Sequence, residues 1–535
     1  MLKKIFLNQS KTITSAAIII GATSLLSRIL GIFRDRVLAS EFGASRELDI
    51  YYAAFRIPDL VFNLLILGAL SAGFIPVFSQ YLNQPKKAWR LVNIILNLIF
   101  IFLVLLSGLL FFLAPWLTKI ITPGFDQSSL DVTTNLSRIM FFSPILLGLA
   151  GVFAGVLQSF KRFFLFSIAP ILYNLGIIIG AIFLTDFFGI YGLAWGVVFG
   201  SLLHLAVQVF ASWLLGYHYQ WILDFTDKGV LQIIKMMVPR TLALMVGQIN
   251  LLVITMIGST LAVGSIAVFN LANNIQSFPL GLFGVSFAIA VFPSLSQQVK
   301  KKKDFVEILS LAIRQILFFI LPASALLIVL RAQVVRVILG AGKFDWEDTV
   351  ITLETLSFFA ISLFAQSLIL VLVRAFYAKL DSKTPFYLGL ISAFANLIFA
   401  FTLTPNFGVS GLAIAFSLAS ILNLVLLILA LHFQLGRLDG GRIAISTIKI
   451  LISTFMLAIV AQAIKYPMEK YFGLNTFIGI SLQTGAAALG GLLIYFMVAF
   501  FLQSEELKMF IDALKNKLSA KPVVTKEIIE EEKLS

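Results

Sequence analysis

The sequence has no cysteine among its 535 residues, which excludes disulfides, thiol nucleophiles, iron–sulfur clusters and cysteine-bound zinc. Histidine is almost as scarce. His204, His218 and His432 stand far apart and follow no metal-site spacing. Charge is thin as well: Asp, Glu, Lys and Arg make up 12% of the chain, where a soluble chain carries roughly a quarter. What is there instead is apolar, with 59% hydrophobic residues and 52 phenylalanines. Such a chain cannot cover its surface with polar groups, so lipid must cover part of it. The excess of 40 basic over 26 acidic residues could suggest nucleic acid, but its distribution fits a membrane surface, and no nucleic-acid partner is expected.

A helix that crosses a bilayer needs about 20 apolar residues, because lipid offers its backbone no hydrogen-bond partner. Runs free of Asp, Glu, Lys and Arg occupy 60–85, 91–118, 139–160, 163–185, 187–217, 355–373 and 471–504. Two longer runs, 241–299 and 384–431, each fit a pair of helices, with turns at Gly258–Gly264 and Thr404–Gly408. Segments near 12–33, 305–330 and 443–464 are helical candidates that carry a few charges. The fold class expected is an all-α polytopic membrane protein with about 14 transmembrane helices. Basic residues alternate between connections as the positive-inside rule requires. Lys3, Lys4 and Lys11 precede the first span, Lys86, Lys87 and Arg90 follow the second, and Lys300 to Lys303 follow the eighth. The connections at Asp186, Ser259 and Asn406 hold none. Both termini are therefore expected in the cytoplasm, and the charged stretch 505–535 reads as a solvated cytoplasmic tail.

Parts of the first half recur about 217 residues later. Gly192-Leu-Ala-Trp195 returns as Gly411-Leu-Ala-Ile414, Phe74-Ile-Pro-Val77 as Val291-Phe-Pro-Ser294, and Ala169-Pro170 as Thr384-Pro385. An even number of helices per repeat returns the chain to its starting side, so the halves read as parallel pseudo-repeats about an axis along the membrane normal. The domains expected are an N-terminal lobe of six helices at 1–220, a C-terminal lobe of six at 221–435, and two additional helices at 436–504. Two lobes around a central cavity suit an alternating-access transporter.

An ionisable side chain inside a span costs roughly 2.5–3.5 kcal/mol, so it needs a partner, a cavity or a role. The first span carries Arg28, Arg34 and Asp35. Arg28 and Asp35 share a helical stripe with Gly31 between them, which leaves room for a ligand to approach. Arg34 also fits a helix end that snorkels to the interface. Arg56, at the start of the second span, suits an interfacial anchor or a functional cation equally. No Asp or Glu lies mid-span, as a cation-coupled drug exporter would require. Guanidinium groups instead favour an anionic substrate, phosphate above all. Pro58, Gly68 and Pro76, and Pro279 in the second half, are either bending points or places of close helix packing. No cluster in the spans supports an enzyme.

Ser27-Arg-Ile-Leu-Gly-Ile-Phe-Arg-Asp35, Phe42-Gly43, Asp49, Ala54-Phe-Arg-Ile-Pro58 and Gly68-Ala-Leu-Ser-Ala-Gly-Phe-Ile-Pro76 resemble the MurJ/MviN family of lipid II flippases. The likeness continues through Thr122-Pro-Gly-Phe125, Gly342-Lys-Phe344 and Asp381-Ser-Lys-Thr-Pro385 and covers nearly the whole chain. It implies that Arg28 and Arg34 contact a pyrophosphate–sugar headgroup, that Asp35 and Asp49 belong to gating charge pairs, and that the two C-terminal helices form a groove for the polyprenyl tail; Arg56 is a candidate headgroup contact that would compensate for cavity arginines missing here. The chain departs from the family where many members carry a further Arg, here Phe62, an acid, here Leu67, and an Asp-Arg pair, here Asn273-Asn274. The function expected is translocation of lipid II to the outer leaflet of the bacterial cytoplasmic membrane. Export of another polyprenyl-diphosphate-linked glycan is the alternative, with a cation-coupled multidrug exporter further off. No cofactor or metal is expected; coupling to the membrane potential or to a monovalent cation is open.

Overall fold

The computed structural model describes residues 13–64, 71–472 and 476–519. Gly68 and Leu67, Lys3, Lys4 and Lys11, and residues 520–535 lie outside the described residues. Every regular element among the described residues is a helix. In chain order they are α1 (Ile13–Phe42), α2 (Arg46–Phe62), α3 (Ser71–Gln80), α4 (Pro85–Ile121), α5 (Gln127–Met140), α6 (Phe142–Ser159) and α7 (Phe163–Ile179). A π-helical turn at Gly180–Leu184 leads into α8 (Thr185–Phe188), α9 (Tyr191–Leu214), α10 (Lys228–Ser259) and α11 (Ser265–Pro279). A second π-turn, Leu280–Val285, precedes α12 (Ser286–Gln297), α13 (Lys302–Val329), α14 (Arg331–Leu339), α15 (Trp346–Ile361) and α16 (Leu363–Ala378). The last four are α17 (Lys383–Leu435), α18 (Gly440–Phe472), α19 (Phe477–Phe501) and α20 (Glu505–Ser519).

Nine helices among the described residues are long and apolar enough to cross a membrane, or ten if the bent pair α15 and α16 counts as one span. That is fewer than the sequence expectation. One reason is that α17 counts once although Gly408, at φ 53° and ψ −135°, breaks it into two helical arms. A second is that α2 and α3 hold 17 and 10 residues, each short of a span on its own. The second helix starts earlier than the charge-free run at 60–85 suggests. It begins at Arg46, so Arg56 lies well inside α2 and not at its start. Searching for charge-free runs misses such a helix, because its charges are held by partners rather than left in lipid.

The chain packs as two compact units. The first comprises Met1–Phe278, Val334–Ser362 and Lys383–Asn423, the second Pro279–Gln333, Leu363–Ser382 and Leu424–Ser535. In the first, Phe74, Phe78, Val92, Ile95, Val152 and Val156 form a buried core. The rings of Trp89 and Phe160 stack beside it with centroids 5.9 Å apart. Glycine sets the packing of α7 on α9. Gly176 and Gly180 face Gly196 and Gly200, and a Cβ on Gly196 would stand 2.7 Å from the Gly180 Cα. Facing small residues of this kind let transmembrane backbones touch.

The connection between α9 and α10 runs along α4 as a strap. Asn93 donates to the His218 carbonyl at 3.1 Å and accepts from the Tyr217 hydroxyl at 2.8 Å. One turn on, Asn97 donates to the carbonyls of Gln220 and Ile222 at 3.1 and 3.0 Å. Arg90 pairs with Asp224 at 3.1 Å. The strap ends at Asp227, which caps α10 by accepting from the Gly229 and Val230 amides.

In the second unit, Tyr495 of α19 is buried and donates to the Phe318 carbonyl of α13 at 2.6 Å. Residues 505–519, expected as solvated tail, instead form α20 and dock on the bundle. Phe510 packs on Phe319 and Phe496. Arg314 of α13 donates to Glu505 and Glu506 at 2.8 Å each, and Glu506 also accepts from Ser446 at 2.8 Å and Ser504 at 2.7 Å. The charge pattern read as tail because its buried counter-ion lies almost two hundred residues away, at |i−j| = 192.

Candidate functional site

α1 places its ionisable groups against polar side chains of α7 and α11, all in the first unit. Arg34 is the centre. Its Nε and Nη2 both donate to Asp35 Oδ1, at 3.0 and 2.7 Å, and its Nη1 donates to Asn174 Oδ1 of α7 at 3.1 Å. Asn174 is itself oriented by donating to the Pro170 carbonyl at 3.1 Å. The second oxygen of Asp35 accepts from Asn274 of α11 at 2.9 Å. Asp35 is buried while the Arg34 side chain keeps 23% of its exposure. The pair is therefore a fixed carboxylate that aligns a guanidinium on a partly exposed side chain, a charge suited to an anion.

Arg28 lies nearly two turns toward the start of α1, half-buried, and donates from Nη1 to the Ser277 carbonyl at 3.3 Å. That long single bond leaves most of its donors unassigned. Between the two arginines, Gly31 has no atom within 4 Å of where a Cβ would stand. The stripe from Arg28 past Gly31 to Asp35 is thus open at its middle. Arg36 turns elsewhere and donates to the Val337 carbonyl at 2.6 Å.

Arg56 is held more tightly. Nε donates to Thr255 of α10 at 2.9 Å and Nη2 to Asn270 of α11 at 2.8 Å, and the side chain interacts electrostatically with Asp59 one turn on. Asp49 is buried at the start of α11, accepting from the Gly264 amide at 2.7 Å and the Ala267 amide at 2.8 Å, with Arg46 at 4.0 Å. Its geometry is that of a helix cap supplied by another helix. Asp49→Ala would leave buried amides unpaired and is expected to cost about 2 kcal/mol, seen as a lower unfolding midpoint of the purified chain; an unchanged midpoint would dismiss the capping role.

The other candidates are scattered. Pro58 is buried within α2, Pro76 is exposed within α3, and Pro279 ends α11 at the head of the π-turn. The described residues 63 and 64 are π-helical too, so wide turns occur at matching places in both sequence repeats. Such turns free a carbonyl and mark functional sites. No group of His, Asp or Glu among the described residues could hold a metal ion.

The family model described as "Lipid II flippase MurJ" matches residues 38–483. The chain belongs to the MurJ lipid II flippase family. Among MurJ relatives, a probable lipid II flippase from Rhizobium tropici is 30% identical over 521 residues, covering 94% of this chain and 97% of that protein. A second, from Burkholderia cenocepacia, is 29% identical and covers 78% and 83% respectively. A solved MurJ structure, in an inward closed conformation, superposes with a TM-score of 0.75 at 25% identity and covers 91% of this chain and 99% of that one. An inward-facing multidrug resistance transporter of the MATE family shares the fold at a TM-score of 0.66 and 14% identity.

Seen as a MurJ chain, the departures at α11 acquire a physical sense. Asn274 supplies a neutral donor to the carboxylate that Arg34 already neutralises. The sequence pattern missed Asn174, Thr255 and Asn270, because an Asn or Thr inside an apolar run reads equally well as ordinary helix packing. Asn396 and Asn250 are of that plainer kind and bond each other at 2.9 Å.

Proposed function

We propose that the chain carries lipid II from the inner to the outer leaflet of the bacterial cytoplasmic membrane by alternating access. The observation that carries this reading is the cluster that Arg34 and Asp35 of α1 form with Asn174 of α7 and Asn274 of α11, set in a family whose members are named for that substrate. A diphosphate presents several acceptor oxygens, and the charges of Arg34 and Arg56 with the spare donors of Arg28 give it guanidinium partners. Asp35 keeps Arg34 aligned. Asp49 acts through the cap on α11. The tail runs along the two C-terminal helices, α18 and α19, and both termini lie in the cytoplasm. The protein does no chemistry on its cargo. Moving an anionic headgroup outward is favoured by an inside-negative potential, by about 2.3 kcal/mol per charge per 100 mV.

The test is rescue of a flippase-depleted strain. Losing two charged contacts of about 1.5 kcal/mol each predicts roughly a hundredfold weaker headgroup affinity in the double variant Arg28→Ala, Arg34→Ala. It should accumulate in the membrane and fail to rescue. Intact rescue would falsify the site assignment, and rescue of surface-glycan export alone would reassign the cargo to another polyprenyl-linked glycan.

A further inference from the structure

The second unit holds a cavity of about 810 Å³. We propose that it binds the phosphate headgroup of an anionic membrane glycerophospholipid. It lies where α13 begins at Lys302, α17 ends at Leu435 and α18 begins at Gly440. All three helices are long and apolar enough to cross the bilayer, so their common end lies at the depth of lipid headgroups. Four cations line it: Lys302, Lys303, Arg437 and Arg442.

Two carboxylates, Glu307 and Asp439, face the same cavity, so its lining keeps an excess of two positive charges, four cations against two anions. Asp439 accepts from the Ser310 hydroxyl at 2.8 Å and sits in the left-handed turn between the helices at φ 57°. Among the described residues none of the four cations has a carboxylate within 4.0 Å, whereas the neighbouring Lys301 is paired with Asp304. Four unpaired cations at one concave place repel one another, and a phosphate would relieve that repulsion. The two guanidinium groups can each grip it bidentately. Basic pockets between transmembrane helices have the chemistry to hold lipid phosphates.

The surroundings favour a lipid over a soluble phosphate. Val306 and Leu435 give the cavity an apolar wall. One turn beyond Arg442, an exposed stripe of Ile445, Ile448, Ile452 and Phe455 runs down α18, at the i, i+3, i+7 spacing of one helix face. A headgroup at the cations would lay its acyl chains on that stripe.

The test uses the purified full chain in phosphatidylcholine nanodiscs with a small fraction of spin-labelled phosphatidylglycerol, read as the immobilised lipid fraction. The quadruple variant K302Q/K303Q/R437Q/R442Q should lose about tenfold of the preference for phosphatidylglycerol over phosphatidylcholine. The charge-keeping variant K302R/K303R/R437K/R442K should retain it, which separates the loss from misfolding. Removing four exposed cations elsewhere, in K86Q/K87Q/K161Q/K228Q, should change it less than about twofold. Equal losses in the two neutralised variants, or no loss in the first, would overturn the site. Displacement of the labelled lipid by millimolar inorganic phosphate would overturn its assignment to lipid. No substrate enters the assay, so its outcome is separate from that of the rescue experiment.

Discussion

Arg314→Met should destabilise the chain by about 3–5 kcal/mol, because it strands the buried Glu506 carboxylate without its counter-charge. Both side chains are sealed from solvent, at 6% and 2% exposure. Glu505, half exposed on the other side of the guanidinium, can return to water and contributes little. The expected readout is a lower unfolding midpoint with earlier proteolysis of α20. Adding Glu506→Gln to Arg314→Met should recover more than half of the loss, since the stranded charge is then gone. The pH dependence has a definite sign. Burial opposes ionisation of Glu506, but the hydrogen bonds from Ser504 and Ser446 and the charge of Arg314 outweigh it and hold its pKa below the ordinary 4.5. A depressed carboxylate stabilises fully above its unfolded pKa and loses that contribution as pH falls through the folded one. The wild type should therefore weaken on acidification below the ordinary glutamate range, and Arg314→Met should weaken less. A midpoint equally acid-sensitive in both proteins would remove Arg314 from the account.

Gly196→Leu should leave little folded protein. The atoms in the way belong to backbone, namely the Gly180 Cα at 2.7 Å and the Gly176 carbonyl at 3.1 Å from the new Cβ. Neither can rotate aside as a side chain would. The two helices must separate along their contact, and the cost is expected at or above the roughly 3 kcal/mol upper end of ordinary overpacking. Gly196→Ala should show the same defect in milder form, since it adds the offending atom without the rest. Size-exclusion profiles of fluorescent fusions would give the answer: a monodisperse Leu variant with the parent's thermal midpoint contradicts the close approach.

What the sequence made legible was set by local rules. Apolar runs located most spans, and Gly258 to Gly264 and Gly408 were turns as their composition suggested, whereas the ion pair between the adjacent Arg34 and Asp35 was not expected. What stayed hidden was set by partners distant in the chain. The helical character of residues 46–59 was masked by charges that Thr255, Asn270, Gly264 and Ala267 accommodate some two hundred positions on. The docking of α20 was masked in the same way by Arg314. Charge patterning reports solvation only when the counter-ion is near in sequence; here both exceptions are long-range.

The strap bonded to Asn93 and Asn97 gives the link between the two sequence repeats almost no slack. Released, the residues from Tyr217 to Asp224 could reach about 26 Å. Fastened along α4, they behave as a splice and not a tether. Any shift of the start of α10 along α4 must therefore be taken up in the few residues between Asp224 and the cap at Asp227.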